Sequence, residues 1–477
     1  MAHPSWVIPA SGWERSISLM SIDVAAAGSD LPPREDLPGI FDELDHQLAC
    51  QAYLWAMPIV SYAQWRTQHR DVFGATDHDL VRYLTYQDRL GLITANATTP
   101  YILNFFDLSA TGPLVIELPP GPTAGGISDF WQREVAVLGE MGADAGRGGT
   151  TLVVGPGQDV PVHDESWTVV HSTGVNIMFG FRTLDPDPVR SAALADKVRV
   201  HPLSLHEDPP ATRLVSPGGR PWSGDQPRGI AYWERLHEIY QTEVIDERDR
   251  FFLAMLRQLG IEPGTPFTPD DRLRAILERA TVDGEQMAQA NTFAKRFPGA
   301  KYWPDRQWDT AVVLSNTSQR GPWYDELLER ASWFYEAVSF SAAMKSTVPG
   351  KGQAYLGAYT DAASDWLDGG EHYTLTVPAG VPAALFWSVT VYDITTRCLI
   401  DNEQQRGDRG SRDPDLVTET DGSVVLHFGP TPPSAGESNW VQTIPGRHWF
   451  SYLRFYGPLQ PYFDRTWKPG DFTKATH

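Results

Sequence analysis

Through residues 41–70, apolar side chains recur every three to four positions, at Leu44, Leu48, Ala52, Trp55, Ile59 and Tyr62. That is the period of a helix burying one face. Pro58 has no N–H to offer the helix ladder, so it is expected to kink or divide this helix. A second helical stretch is read over Asp79–Leu90. It leads into Thr94-Ala95-Asn96-Ala97-Thr98-Thr99-Pro100-Tyr101, whose small polar residues favour turns. From Tyr101 the pattern changes to short strands. Leu114–Leu118, Thr151–Val154 and Trp167–Val170 are parted by glycine and proline, as in an antiparallel sandwich or barrel.

The helical period returns between Tyr232 and Lys295. There Trp233, Leu236, Tyr240, Val244, Phe251 and Met255 form one stripe, and Gly260 stands where a C-terminal cap would. Another helix is expected to begin at Thr268-Pro269-Asp270-Asp271. Threonine would cap it, proline suits the first helical position, and the acids meet the positive end of the dipole. Tyr324–Lys345 reads as a further helix, with Leu327, Ala331, Phe334, Tyr335 and Val338 on one side. Short strands resume after Gly350.

The two β regions follow one order of landmarks. In the first, a strand ends in Leu118-Pro119, followed by Asp129-Phe130-Trp131, Val154-Gly155-Pro156, Trp167 and Phe181-Arg182. In the second, a strand ends in Val377-Pro378, followed by Phe386-Trp387, Phe428-Gly429-Pro430, Trp440 and Leu453-Arg454. From the glycine to the tryptophan is 12 residues in one copy and 11 in the other, and from that tryptophan to the arginine 15 and 14. A duplicated β domain explains this more simply than chance.

Composition narrows the functional classes. With 477 residues the chain can build its cores by burial alone, and two distant cysteines, Cys50 and Cys398, suggest neither a disulfide framework nor a zinc site. Sixty acidic against 39 basic side chains give a net charge of -21, which works against nucleic-acid binding. No apolar run is long enough to span a membrane, and Met1–Asp30 does not read as a signal peptide, so a cytoplasmic location is expected. The 17 tryptophans and 17 tyrosines suit cores, subunit contacts and sugar-stacking surfaces alike.

The second half resembles the domain of unknown function numbered 1214. Tyr355-Leu356-Gly357-Ala358-Tyr359-Thr360-Asp361, Phe386–Asp393, Asp401-Asn402, Asp421-Gly422-Ser423, Asn439-Trp440 and Arg454–Pro458 carry the likeness in order. The first half resembles the domain numbered 1254, through Tyr101, Asp107-Leu108-Ser109, Gly112-Pro113 and Val154-Gly155-Pro156-Gly157. Where that family usually reads Asn-x-Asp-Thr-Leu-Tyr, this chain has Asn96-Ala97-Thr98-Thr99-Pro100-Tyr101, so any role of that aspartate is absent. The resemblance implies a mainly β, α+β fold: two jelly-roll-like antiparallel β-sandwiches joined by a helical segment, an arrangement similar to that of peptide N-glycosidase F. It divides the chain into an N-terminal helical region (1–95), a first sandwich (96–220), a helical connector or lid (221–350) and a second sandwich (351–477). It brings no mechanism, because fold alone does not carry function.

Candidate chemistry gathers in the second half. In Trp387-Ser388-Val389-Thr390-Val391-Tyr392-Asp393 the strand alternation sends Trp387, Val389, Val391 and Asp393 one way and Ser388, Thr390 and Tyr392 the other. Asp393 is read either as a general acid or base, with Arg454 or Arg397 stabilising charge, or as a cap on the turn after the strand. Asp129 and Arg133 beside Trp131 pose the same choice. Asn439, Trp440 and Tyr456 offer an amide and two aromatic faces to a sugar-like ligand, or else Trp440 plugs a core as its counterpart Trp167 would. His201, His206 and Glu207 lack the spacing of HExxH or a facial triad, so no metal is expected, and no phosphate loop or nucleophile elbow is present, so no cofactor is.

These residues lead to an expected cofactor-independent hydrolase or lyase acting on a glycoside-like or other polar ligand between the two sandwiches. Asp393 and Arg454 would be catalytic, and Tyr101, Trp131, Tyr392, Asn439, Trp440 and Tyr456 would bind the substrate. The alternatives are a non-catalytic ligand-binding protein or homo-oligomeric scaffold, and a natural-product tailoring enzyme. Nucleic acid and membrane are not expected as partners.

Overall fold

The computed structural model describes residues 31–160, 164–244, 246–434 and 436–475. The reading of Met1–Asp30 therefore lies outside the described residues. The chain divides into two units, residues 1–45 and 46–477. In the first, the described residues enter a helix at Leu37.

In the first β region the strands are β1 (Asp79–Tyr83), β2 (Tyr101–Asp107), β3 (Leu114–Leu118), β4 (Thr123–Asp129), β5 (Glu134–Gly139), β6 (Gly149–Val154), β7 (Thr168–His171), β8 (Asn176–Thr183), β9 (Arg199–Pro202) and β10 (Arg213–Val215). The second region has β11 (Trp308–Thr310), β12 (Gln353–Ala358), β13 (Tyr373–Val377), β14 (Ala383–Asp393), β15 (Asp408–Gly410), β16 (Val424–Gly429), β17 (Trp440–Gln442), β18 (Trp449–Pro458) and β19 (Thr473–Lys474). Among the described residues these form four mostly antiparallel sheets. Their orders are β10-β1-β2-β8-β4-β5 and β7-β6-β3-β9, then β11-β12-β18-β14-β15 and β17-β16-β13-β19.

The duplication read from the sequence has an exact topological counterpart. The run β2-β8-β4-β5 corresponds to β12-β18-β14-β15, and β7-β6-β3-β9 corresponds to β17-β16-β13-β19. Even the parallel pairing of β6 with β7 recurs between β16 and β17. The chain is thus α+β, with two jelly-roll-like two-sheet sandwiches and helices between them.

Strand alternation explains how each large sheet serves two cores. On β18, Trp449, Leu453 and Phe455 join the sandwich core with Trp387, Val389 and Val391 of β14. Phe450 and Tyr452 face the opposite way, into a core shared with the helices. On the first large sheet, Ile102, Phe106, Ile177, Phe179 and Phe181 fill the sandwich, while Leu103, Phe105 and Met178 face the shared core. Within the helix Leu37–Thr67, residues 46–67 pass through that shared core and are buried almost continuously from Ala49 to Trp65. Pro58 does not divide it. The carbonyls of Tyr53, Trp55 and Pro58 take hydrogen bonds from Tyr232, Arg330 and Gln132, so backbone groups around the proline are satisfied from other elements.

Three local expectations are corrected. Asp79–Leu90 is not a helix: residues 79–83 form β1 and only Tyr86–Arg89 make a helical turn. Buried Asp79 anchors this strand through Arg213 at 2.6 Å on its parallel neighbour β10, a tertiary contact outweighing local periodicity. The helix at Asp271–Phe293 is capped by Asp270, whose carboxylate accepts the Leu273 N–H, rather than by Thr268. The helix read over Tyr324–Lys345 is confined to Leu327–Glu336, because Ala337 is extended and Ser339 takes a positive φ of 62°.

Candidate functional site

A cavity of about 200 Å³ lies between the two large sheets and the helical connector. β2, β4, β5 and β8 line it from one side, β12 and β18 from the other, and residues 333–344 of the connector add Trp333, Phe340 and Met344. Its apolar surface also includes Leu103 and Met178.

Two arginines, Arg182 and Arg454, open onto this space. Arg454 is 4% exposed. It donates to the Tyr392 hydroxyl and, at 2.7 Å, to the Thr94 carbonyl. Thr94 is a β-branched residue at φ +42°, a conformation of order 1–3 kcal/mol above the usual basins. Its N–H donates to the Arg397 carbonyl at 2.7 Å, which holds the loop in place. Among the described residues, neither Arg182 nor Arg454 has a carboxylate within ion-pair distance, although the protein is strongly acidic overall. The one carboxylate in the lining, Glu134, accepts the Ala342 N–H at 2.8 Å.

Phenols and amides complete the polar lining. The Tyr355 ring lies 5.5 Å under the Arg454 guanidinium, and the Tyr101 ring 5.6 Å under that of Arg182. Tyr355 donates to the side-chain amide oxygen Oε1 of Gln353, and the Tyr101 hydroxyl accepts the Asn96 backbone N–H at 2.8 Å. Asn96 also donates through its amide to the Tyr456 hydroxyl, so this loop supports Tyr456 even without the family's usual aspartate. Burial raises the phenol pKa values of Tyr355, Tyr392, Tyr452 and Tyr456, keeping these groups protonated and able to donate.

The structure therefore brings together Arg454, Tyr101 and Tyr456, with Tyr392 directly behind Arg454. It places the other expected residues elsewhere. Asp393 ends β14, accepts the N–H groups of Thr395 and Thr396 at 2.8 and 3.1 Å, and pairs with Arg447 at 3.1 Å. It is outside the cavity lining and has the geometry of a turn cap. Asn439 spends its amide on Val417 and Val425, and Trp440 donates to the Gly429 carbonyl at 2.9 Å. Trp131 packs against Trp55 with ring centroids 4.9 Å apart. Arg397 binds the Tyr335 carbonyl, while Asp129 pairs with Arg133 at 2.7 Å. The sequence reading did not single out Arg182, Tyr355, Gln353 or Tyr452 for the site. The signal for Arg182 was the duplication itself, which aligned it with Arg454.

No helix among the described residues is long and apolar enough to cross a membrane. Residues 78–202 match the family model described as a protein of unknown function (DUF1254), and residues 352–460 match that described as a protein of unknown function (DUF1214). A search of curated proteins gives no match. Among solved structures, the chain is similar to the VPA0106 protein from Vibrio parahaemolyticus, with a TM-score of 0.54 and 15% identity over 91% of this chain and 100% of that one. That likeness shows a common fold. A putative uncharacterized protein from Burkholderia cenocepacia matches over 93% of this chain and 97% of its own, at a TM-score of 0.41 and 11% identity. The chain therefore carries a DUF1254 region followed by a DUF1214 region, the pairing that its sequence motifs resemble.

Proposed function

We propose that the protein takes a small organic anion, a carboxylate with an apolar body, into the cavity between its two sandwiches. The observation that carries this reading is the pair Arg182 and Arg454, two cationic side chains facing one cavity without a carboxylate in ion-pair contact among the described residues. Removing charge from water costs several kcal/mol unless an opposite charge offsets it, and a bound anion supplies that charge. Planar guanidinium groups also match a carboxylate in geometry. Leu103, Met178, Trp333, Phe340 and Met344 suit the apolar remainder of such a ligand.

The expected hydrolase or lyase belongs to this same pocket, without Asp393. In a hydrolysis a water oxygen adds to the carbon as its bond to the leaving group breaks; a buried phenol gives its proton to the departing group and regains one from that water, Arg454 offsets the negative charge that develops, and this balance needs no cofactor. The experiment is a thermal-shift comparison of benzoate, phenylacetate and hexanoate with their amides. The acids should raise Tm in the parent protein and lose this effect in Arg454→Ala. Amides stabilising as well as acids, or no acid stabilising at all, would refute the anion site. Mass spectrometry of an acid that binds, before and after incubation, separates the enzyme from a carrier.

A further inference from the structure

A second constellation lies outside the cavity. β3 and β9 pair antiparallel with Val115 opposite His201, so His201 and Glu117, two residues along from Val115, project from the same face of the sheet. The turn after β9 brings His206 back to this face. Its Nδ1 lies 3.0 Å from His201 Nε2, with the two rings 16° from parallel. Trp167 packs edge-on against His206 at 4.7 Å. Glu117, His201 and His206 each place a ligand atom within 4.8 Å of the others. His201 is 1% exposed, and its Nδ1 has no hydrogen-bond partner.

We propose that Glu117, His201 and His206 form a binding site for a divalent first-row transition metal. Two imidazoles and a carboxylate are a donor set such ions take, and three protein ligands leave a position for water. Metal–nitrogen bonds of ~2.0–2.1 Å set two ligand atoms on one ion roughly 3.0–3.5 Å apart. The histidine nitrogens are already at that separation. They need to pivot out of their mutual hydrogen bond and Glu117 to close inward. Metal binding requires neutral imidazole. None of the three ligands lines the cavity, so the ion's role is to tie the loop after β9 to β3. The sequence hid this set because its carboxylate comes from β3, far upstream, and not from neighbouring Glu207.

The test uses Zn²⁺ as the probe on chelator-treated full-length protein, with isothermal titration and elemental analysis. The parent should bind one Zn²⁺ per chain and gain thermal stability. His206→Ala and Glu117→Gln, both at half-buried positions, should remain folded and weaken binding at least about tenfold. Visible absorption of bound Co²⁺ should change in both variants. No binding by the parent, or unchanged affinity and Co²⁺ spectra in both variants, would overturn the assignment.

Discussion

Arg182 and Arg454 occupy equivalent positions in the duplicated sandwiches, each on the strand next to an arm that presents a tyrosine. Tyr355 is the register partner of Arg454, and Tyr101 lies one step beyond the Ile102–Phe181 pair that precedes Arg182. Each arginine stands over its tyrosine at nearly the same distance, 5.6 and 5.5 Å. Duplication has thus supplied one arginine–tyrosine pair to each side of a single cavity. The charges of both arginines are felt by Tyr355 and Tyr456, so the guanidinium groups converge on one small region.

That convergence fixes how the two arginines share a ligand. Arg182→Ala and Arg454→Ala should each weaken benzoate, taken as the probe, by ~2–3 kcal/mol, the scale of a hydrogen bond to a charged group. If both hold one carboxylate, the double variant should depart from additivity by at least about 1 kcal/mol. Titration calorimetry on the four proteins measures this. Strict additivity would mean that the arginines hold separate groups and would reject the shared-carboxylate geometry.

Asp393 should matter to folding and not to binding. Its carboxylate serves two backbone N–H groups and Arg447, so Asp393→Ala strands them at a cost of ~1–2 kcal/mol. Asp393→Asn keeps one acceptor and should lose less. Urea unfolding reads the stability and calorimetry the affinity, which should stay within about twofold of the parent. A large affinity loss in a variant of unchanged stability would return Asp393 to the site.

Much of this architecture is legible in the residues. The alternation around Trp387 separates the sandwich face from the shared-core face, and the ordered landmarks reveal a duplication that the strand orders repeat. β1 was hidden because its strand conformation depends on β2, β10 and Arg213. The helix read over Tyr324–Lys345 ends early because the chain turns at Ser339 to line the cavity. For the site, strand motifs located Arg454 and Tyr456, but turn-capping and ligand-binding uses of Asp393 and Asn439 have the same sequence. Only their hydrogen-bond partners separate the two uses.

Asp408, near Arg454, should give the pocket a pH dependence. Burial and then Asp413 push its pKa up to about 6, while Thr98, Arg454 and Arg89 pull it down. Because the folded value exceeds the unfolded one, the folded state retains the proton through the interval between them. Stability is fully present below about pH 4 and falls as pH rises through about 6. Asp408→Asn preserves an acceptor for the Thr98 hydroxyl, 3.2 Å away, and removes the ionisation. The variant should match the parent near pH 4 and exceed it by ~1–2 kcal/mol above about pH 7 in urea unfolding, the full shift being reduced by solvent screening at this half-buried site. Ionised Asp408 also offsets part of the Arg454 charge. Benzoate affinity should therefore decline in the parent as pH rises through about 6, and Asp408→Asn should remove that step. An unchanged pH profile in the variant would show that another group governs it.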